Sequence, residues 1–232
     1  MRRPLSASKV GARRPTKTAR RGDTLHEDAL RTMLSDDPNN MRAFQALAEI
    51  VGHRAAASGP DGDPLTGPAN EVEKQRAADL AVWSLAEELA GHPKAWYPLV
   101  ELARLSVRHD HEGTLRRLAT AAERDPSGEA LAEGLAVLRD AGLPSEALGL
   151  GIGHWRPKEQ TPEIGRQIVR AALEADRPME AKMHLKSLEL YPDQEAIAPL
   201  RAELARAVAQ AEQRVAEPEP GAAESGAPKS EA

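Results

Sequence analysis

Five times along this chain a helical pattern runs into a dipeptide that ends in proline: Asp37-Pro38, His92-Pro93, Asp125-Pro126, Arg156-Pro157 and Tyr191-Pro192. Proline lacks the N–H that a helix interior needs, and it pushes the residue before it out of the α region. Each dipeptide therefore works as punctuation. The prolines are spaced by 55, 33, 31 and 35 residues. Three of the four intervals lie near the roughly 34-residue period of a helix–turn–helix repeat. The long interval is accounted for by an insertion, because residues 52–70 contain SGPDGDPLTGPAN, a run of breakers and turn formers. A chain punctuated in this way must fold as a succession of short helices.

The stretch between two of these stops, AWYPLVELARLSVRHDHEGTLRRLATAAERDP over residues 95–126, reads as two amphipathic helices joined by a polar turn. Trp96, Leu99, Val100, Ala103 and Val107 form one apolar face, and Leu115, Leu118, Ala119 and Ala122 form the other. Upstream, Thr24-Leu25-His26-Glu27 has capping-box spacing and predicts a helix start, with Ala29, Leu30, Met33 and Leu34 as its stripe. A second helix is expected from Asn40, carrying Phe44, Leu47, Ala48 and Val51. A third is expected over 71–90, with Val72, Leu80, Ala81, Leu85 and Leu89 facing inward and Gly91 closing it. Later helices are expected at 128–141 (Leu131, Leu135, Leu138, then Gly142), from Pro144, from Thr161-Pro162-Glu163, from Pro178, and from Asp193 to about 215.

These residues resemble the tetratricopeptide repeat family over positions 24–192. First helices supply Phe44, Leu47, Ala48 and Val51, then Trp96, Leu99, Val100 and Ala103. Second helices supply Ala81 and Leu85, then Thr114, Leu118 and Ala121, then Ala181 and Leu185. Asp37-Pro38-Asn39-Asn40 is similar to the family's inter-repeat turn, whereas Gly134 and Gly151 stand where the family has larger residues. The resemblance implies an all-α, right-handed α-solenoid of antiparallel helix pairs, about ten helices long, with the last one as a solvating cap. The expected division is a disordered basic arm over 1–22, a repeat domain over 23–216 interrupted by the 52–70 loop, and a disordered acidic tail over 217–232.

Charge is distributed unevenly. Arg2, Arg3, Lys9, Arg13, Arg14, Lys17, Arg20 and Arg21 give the arm +8 with no acid, and the tail from Glu217 carries −3. The chain's net charge of −5 then leaves −10 for the body between them. Such a body repels polyanions, so any non-specific, salt-sensitive contact with RNA or DNA is expected through the arm, and the alternative to a partner-binding adaptor is an RNA-, ribosome- or other polyanion-associated protein anchored by it. No run reaches the roughly 18 apolar residues that span a bilayer, and no cysteine is present. A cytoplasmic protein is expected, and the excess of Arg over Lys together with the Ala content points to GC-rich bacterial coding.

Motifs for chemistry are scarce. Gly149-Leu150-Gly151-Ile152-Gly153 lacks the third glycine and the preceding strand of a dinucleotide loop. It reads instead as a helix weakened or ended by glycine, of the kind that lets backbones pack closely. His109-Asp110-His111-Glu112 has no second ligand cluster and reads as a polar turn. No catalytic residue, metal site or cofactor is expected. The resemblance implies that first-helix residues line a groove: Arg42, Gln45, Glu49, Lys94, Tyr97, Glu101, Arg104, Arg139, Arg166 and Arg170. Six of the ten are cationic, which suits an acidic or carboxylate-bearing peptide or protein partner. Chaperone-tail-binding members of that family place Asn in the groove, where this chain has Glu49 and Glu101.

Overall fold

The computed structural model describes residues 17–57 and 71–216, with side chains from Leu25 onward. The described residues are all-helical, as expected, and contain ten α-helices. These are α1 (Lys17–Asp36), α2 (Met41–Ala57), α3 (Glu71–Ala90), α4 (Tyr97–Ser106), α5 (His111–Arg124), α6 (Glu129–Asp140), α7 (Pro144–His154), α8 (Glu163–Glu174), α9 (Pro178–Ser187) and α10 (Ala198–Ala216). A 3₁₀ turn, Leu188–Leu190, extends α9.

Every extensive helix–helix contact joins elements adjacent or next but one in the chain. The skip-one contacts run α4–α6, α6–α8 and α8–α10 among the even-numbered helices, and α5–α7 among the odd-numbered ones. Edge-on packing of the Phe44 and Tyr97 rings, with centroids 5.4 Å apart, ties α2 to α4 in the same row. Helices α4, α6, α8 and α10 thus form a row, which α2 joins through that ring pair. Leu47, Leu99, Leu118, Leu131, Leu135, Leu138, Ile164 and Ile168 are buried. Each such side chain contributes about 1.5–3 kcal/mol by leaving water.

The turns carry the periodicity more sharply than the helices do. After α6, Gly142 takes φ +77° and Leu143 N–H bonds back to the Leu138 carbonyl at 2.9 Å. After α8, Asp176 takes φ +56° and Arg177 N–H bonds to the Ala172 carbonyl at 2.8 Å. Both are the left-handed helix stop in which one residue reverses the chain, and each is followed two residues later by the proline that opens the next helix, Pro144 or Pro178. The offset between them is 34 residues.

Helix ends are held by side chains near and far. Asn40 Oδ1 accepts from Ala43 N–H at 3.0 Å and caps α2, and Asp125, buried at the third proline stop, accepts from Ala130 N–H at 2.8 Å and caps α6. The start of α4 has no local cap, since Trp96 stands there. Asn39 supplies it from far upstream: its Oδ1 accepts from the N–H groups of Trp96 (2.7 Å) and Tyr97 (3.0 Å). Its Nδ2 donates to the Lys94 carbonyl at 2.8 Å. At the end of α3, Arg124 Nη1 reaches the carbonyls of Ala90, His92 and Ala95.

Several expectations are corrected. Helix α1 begins at Lys17, so Thr24 is inside it and residues 17–22 of the expected arm are helical. Glu27 consequently caps nothing and pairs with Arg31 and Arg54, tying α1 to α2; the hydrogen bond from Arg54 leads in holding its carboxyl below the usual range. Met33 and Ala29 are exposed while Leu30 and Leu34 are buried. Helix α2 continues through Gly52 to Ala57, with Gly52 buried against Ala78 and Val82 of α3. The rest of the expected loop, 58–70, lies outside the described residues, as do 1–16 and the tail over 217–232. Val72 and Leu80 face outward. Asp193 caps a turn through Ala196, and α10 itself begins at Ala198.

Candidate partner-binding face

The ten residues expected to line a groove all fall on or immediately before the even-numbered helices. Arg42, Gln45 and Glu49 lie on α2, Lys94 just before α4, Tyr97, Glu101 and Arg104 on α4, Arg139 on α6, and Arg166 and Arg170 on α8. Spacings of three and four residues put each helix's members on one stripe.

The structure joins these stripes from helix to helix. Gln45 Nε2 lies 3.1 Å from the Tyr97 hydroxyl, bridging α2 and α4. Arg104 pairs with Glu101 on its own helix and with Glu133 on α6, each at 3.5 Å. Arg139 reaches from α6 to Gln167 and Glu174 on α8, with Nε 2.9 Å from a Glu174 oxygen. Arg170 Nη2 lies 2.6 Å from Glu203, joining α8 to α10. Arg166 pairs within α8 with Glu163 at 3.0 Å. The hydrogen bond from Arg170 is the main cause holding the Glu203 carboxyl below its ordinary range.

Two consequences alter the expected picture. Tyr97 does not open onto a groove: it is 2% exposed, wedged edge-on between Phe44 and Trp96. Burial first, and then the neighbouring Glu101 charge, push its phenol up to about 12. Tyr97 is thus a packing residue. Four of the six cations, Arg104, Arg139, Arg166 and Arg170, already have carboxylate partners. Arg42 and Lys94 are exposed, and among the described residues neither has a carboxylate within ion-pair distance. The two cations of this set without a carboxylate partner thus lie at its α2–α4 end, where the exposed Glu49 also stands.

Sequence reasoning missed Glu133, Gln167, Glu174 and Glu203. Only Glu163 could have been found, as the residue one turn before Arg166. The others depend on the register between different helices, which no spacing within one helix encodes.

The remaining motifs resolve simply. Asp110 accepts from Gly113 N–H at 2.9 Å, caps α5 and pairs with Arg117 at 3.1 Å, so His109–Glu112 is a capped turn. The Gly113 N–H leads in lowering its carboxyl's pKa. Gly149, Gly151 and Gly153 all lie inside α7. Among the described residues, no cluster of three or more His, Cys, Asp or Glu is placed to hold a metal ion, and no helix is long and apolar enough to cross a membrane. Of the expected polyanion-binding residues, Arg2, Arg3, Lys9, Arg13 and Arg14 lie outside the described residues, and Lys17, Arg20 and Arg21 fall in the opening turns of α1. No family model, curated protein or solved structure matches this chain.

Proposed function

We propose that this chain is a non-enzymatic cytoplasmic scaffold that holds a peptide or protein partner on the layer formed by α2, α4, α6, α8 and α10. In this reading the helix pairs stack as a right-handed solenoid of the tetratricopeptide type, with that layer on the inner side. The observation that carries it is the row of contacts α4–α6, α6–α8 and α8–α10, extended to α2 by the Phe44–Tyr97 ring pair, which lays five helices side by side. Polar and charged groups cover that surface, as suits a partner that comes and goes. The unpaired cations Arg42 and Lys94 give an acidic partner its entry point, and the paired arginines fix the register of the helices beneath it.

The test is capture of partners from the native source on the immobilised chain, identified by mass spectrometry and repeated with Arg42→Glu/Lys94→Glu and with Arg104→Glu/Arg170→Glu. These side chains are exposed or half-exposed, and each ion pair lost costs only about 0–1 kcal/mol, so circular dichroism should show both variants folded. Loss of the same captured protein from both supports the reading. Undiminished capture by both refutes the placement of the binding face.

A further inference from the structure

Helix α3 carries an outward stripe that the described chain covers only at its Trp83 end, where the indole packs against the core. Its buried residues, Leu85 and Ala86, lie in the C-terminal half. On another face Val72, Arg76, Asp79 and Trp83 recur at intervals of four, three and four, which places them on one side of the helix. Val72 is 61% exposed, and Leu80 on the flank of the stripe is 67% exposed. Trp83 is half-buried, with the Arg117 guanidinium 5.1 Å from its ring centroid. Arg76 is exposed and has no carboxylate partner among the described residues. Asp79 receives only the Gln75 side-chain amide, at 2.7 Å. Arg76, Asp79, Leu80 and Trp83 also form one wall of a groove between α3 and the α4–α5 turn, whose other side is made by Leu105, Ser106, His109 and Asp110.

We propose that this stripe is a self-association surface, on which α3 packs antiparallel against α3 of a second copy of the chain. The pattern is its own complement. A twofold axis passing between Ala77 and Ala78 sets Arg76 opposite Asp79 of the other copy, and Asp79 opposite its Arg76. The same axis sets Val72 opposite the second copy's Trp83, and again reciprocally. An isologous dimer requires this kind of self-complementary surface. A second copy matches both charges and both apolar ends at once. Leu80 and its symmetry mate then flank the axis beside the groove. The contact is essentially one helix pair, smaller than a standard interface, so dissociation in the micromolar range is expected.

Sedimentation velocity of the full chain over a concentration series tests this. The wild type should pass from monomer to dimer across the micromolar range. Arg76→Glu sets a carboxylate against Asp79 of the other copy twice, and Asp79→Arg sets a guanidinium against Arg76 twice. Each should weaken the dimer by roughly a hundredfold through like-charge apposition, with unchanged circular dichroism. The decisive experiment mixes the two monomeric variants. In the mixed pair the two substituted side chains face each other with opposite charge, and the retained Asp79 of one copy faces the retained Arg76 of the other. A 1:1 mixture should therefore recover the dimer. A wild type that stays monomeric throughout the series overturns the proposal. So do single variants that dimerise like the wild type, or a mixture that stays monomeric.

Discussion

The side chain of Asn39 does for α4 what a local cap does for other helices, and its removal isolates that effect. In Asn39→Ala the N–H groups of Trp96 and Tyr97 lose their acceptor at 2.7 and 3.0 Å, and the Lys94 carbonyl loses a donor at 2.8 Å. Loss of a helix N-cap costs about 1 kcal/mol in ordinary settings. Here Trp96 and Tyr97 are buried, and a buried donor left unpaired costs about 1–3 kcal/mol. Water can reach the exposed Lys94 side of the turn and recover part of this, so the net loss expected is about 2–3 kcal/mol. Asn39→Asp keeps the acceptor and adds negative charge at the helix N-terminus, losing only the donor, so it should cost about 1 kcal/mol or less. Urea denaturation followed by circular dichroism measures both, with hydrogen exchange at the start of α4 as a local readout. A loss under about 0.5 kcal/mol for the alanine variant, or equal losses for both, would show that Asn39 does not hold the α2–α4 junction.

Three further outcomes follow from the packing. A Cβ at Gly151 would fall 2.6 Å from Ile168 Cγ1, whereas one at Gly149 meets nothing within 4 Å. In thermal melts, Gly151→Ala should therefore destabilise by about 1–2 kcal/mol despite its better helix propensity, and Gly149→Ala should stabilise by about 0.5–1 kcal/mol. Asp176 occupies a left-handed position that glycine adopts without strain, so Asp176→Gly should gain about 0.5–1 kcal/mol in urea melts, and a loss would contradict the helix-stop assignment. The Tyr97 phenol is raised from 10.0 to about 12 in the folded chain. Between those values the unfolded chain has given up the proton and the folded chain has not, so stability falls as pH rises from about 10 to about 12. Tyr97→Phe should remove that component of the alkaline denaturation profile, and an unchanged profile would refute it.

Much of the architecture was legible because it is encoded locally. Proline stops, caps and apolar stripes at helical spacing are properties of a few consecutive residues, and α4 and α6 to α9 begin within a residue or two of where such signals place them. Expectations failed where distant residues decide. Val72 and Leu80 are apolar at helical spacing, yet spacing cannot say which stripe of a long helix a neighbour covers, and no described element covers this one. The resemblance placed Tyr97 on the groove by its position in a first helix, but Phe44 and Gln45 from α2 pack the ring and satisfy the hydroxyl.

Residue order alone dictates that the chain is a run of short helices, with proline stops recurring mostly 31 to 35 residues apart, because backbone hydrogen bonding and proline geometry act over a few residues at a time. It also dictates which residue types are available on each even-numbered helix. How those residues are used depends on tertiary packing. Side-by-side helices bring Glu133, Glu174 and Glu203 against Arg104, Arg139 and Arg170, and bring Asn39 to the uncapped start of α4. Electrostatic and capping interactions act through space at a few ångströms, so they are fixed by the register between helices, which exists only once the helices have packed.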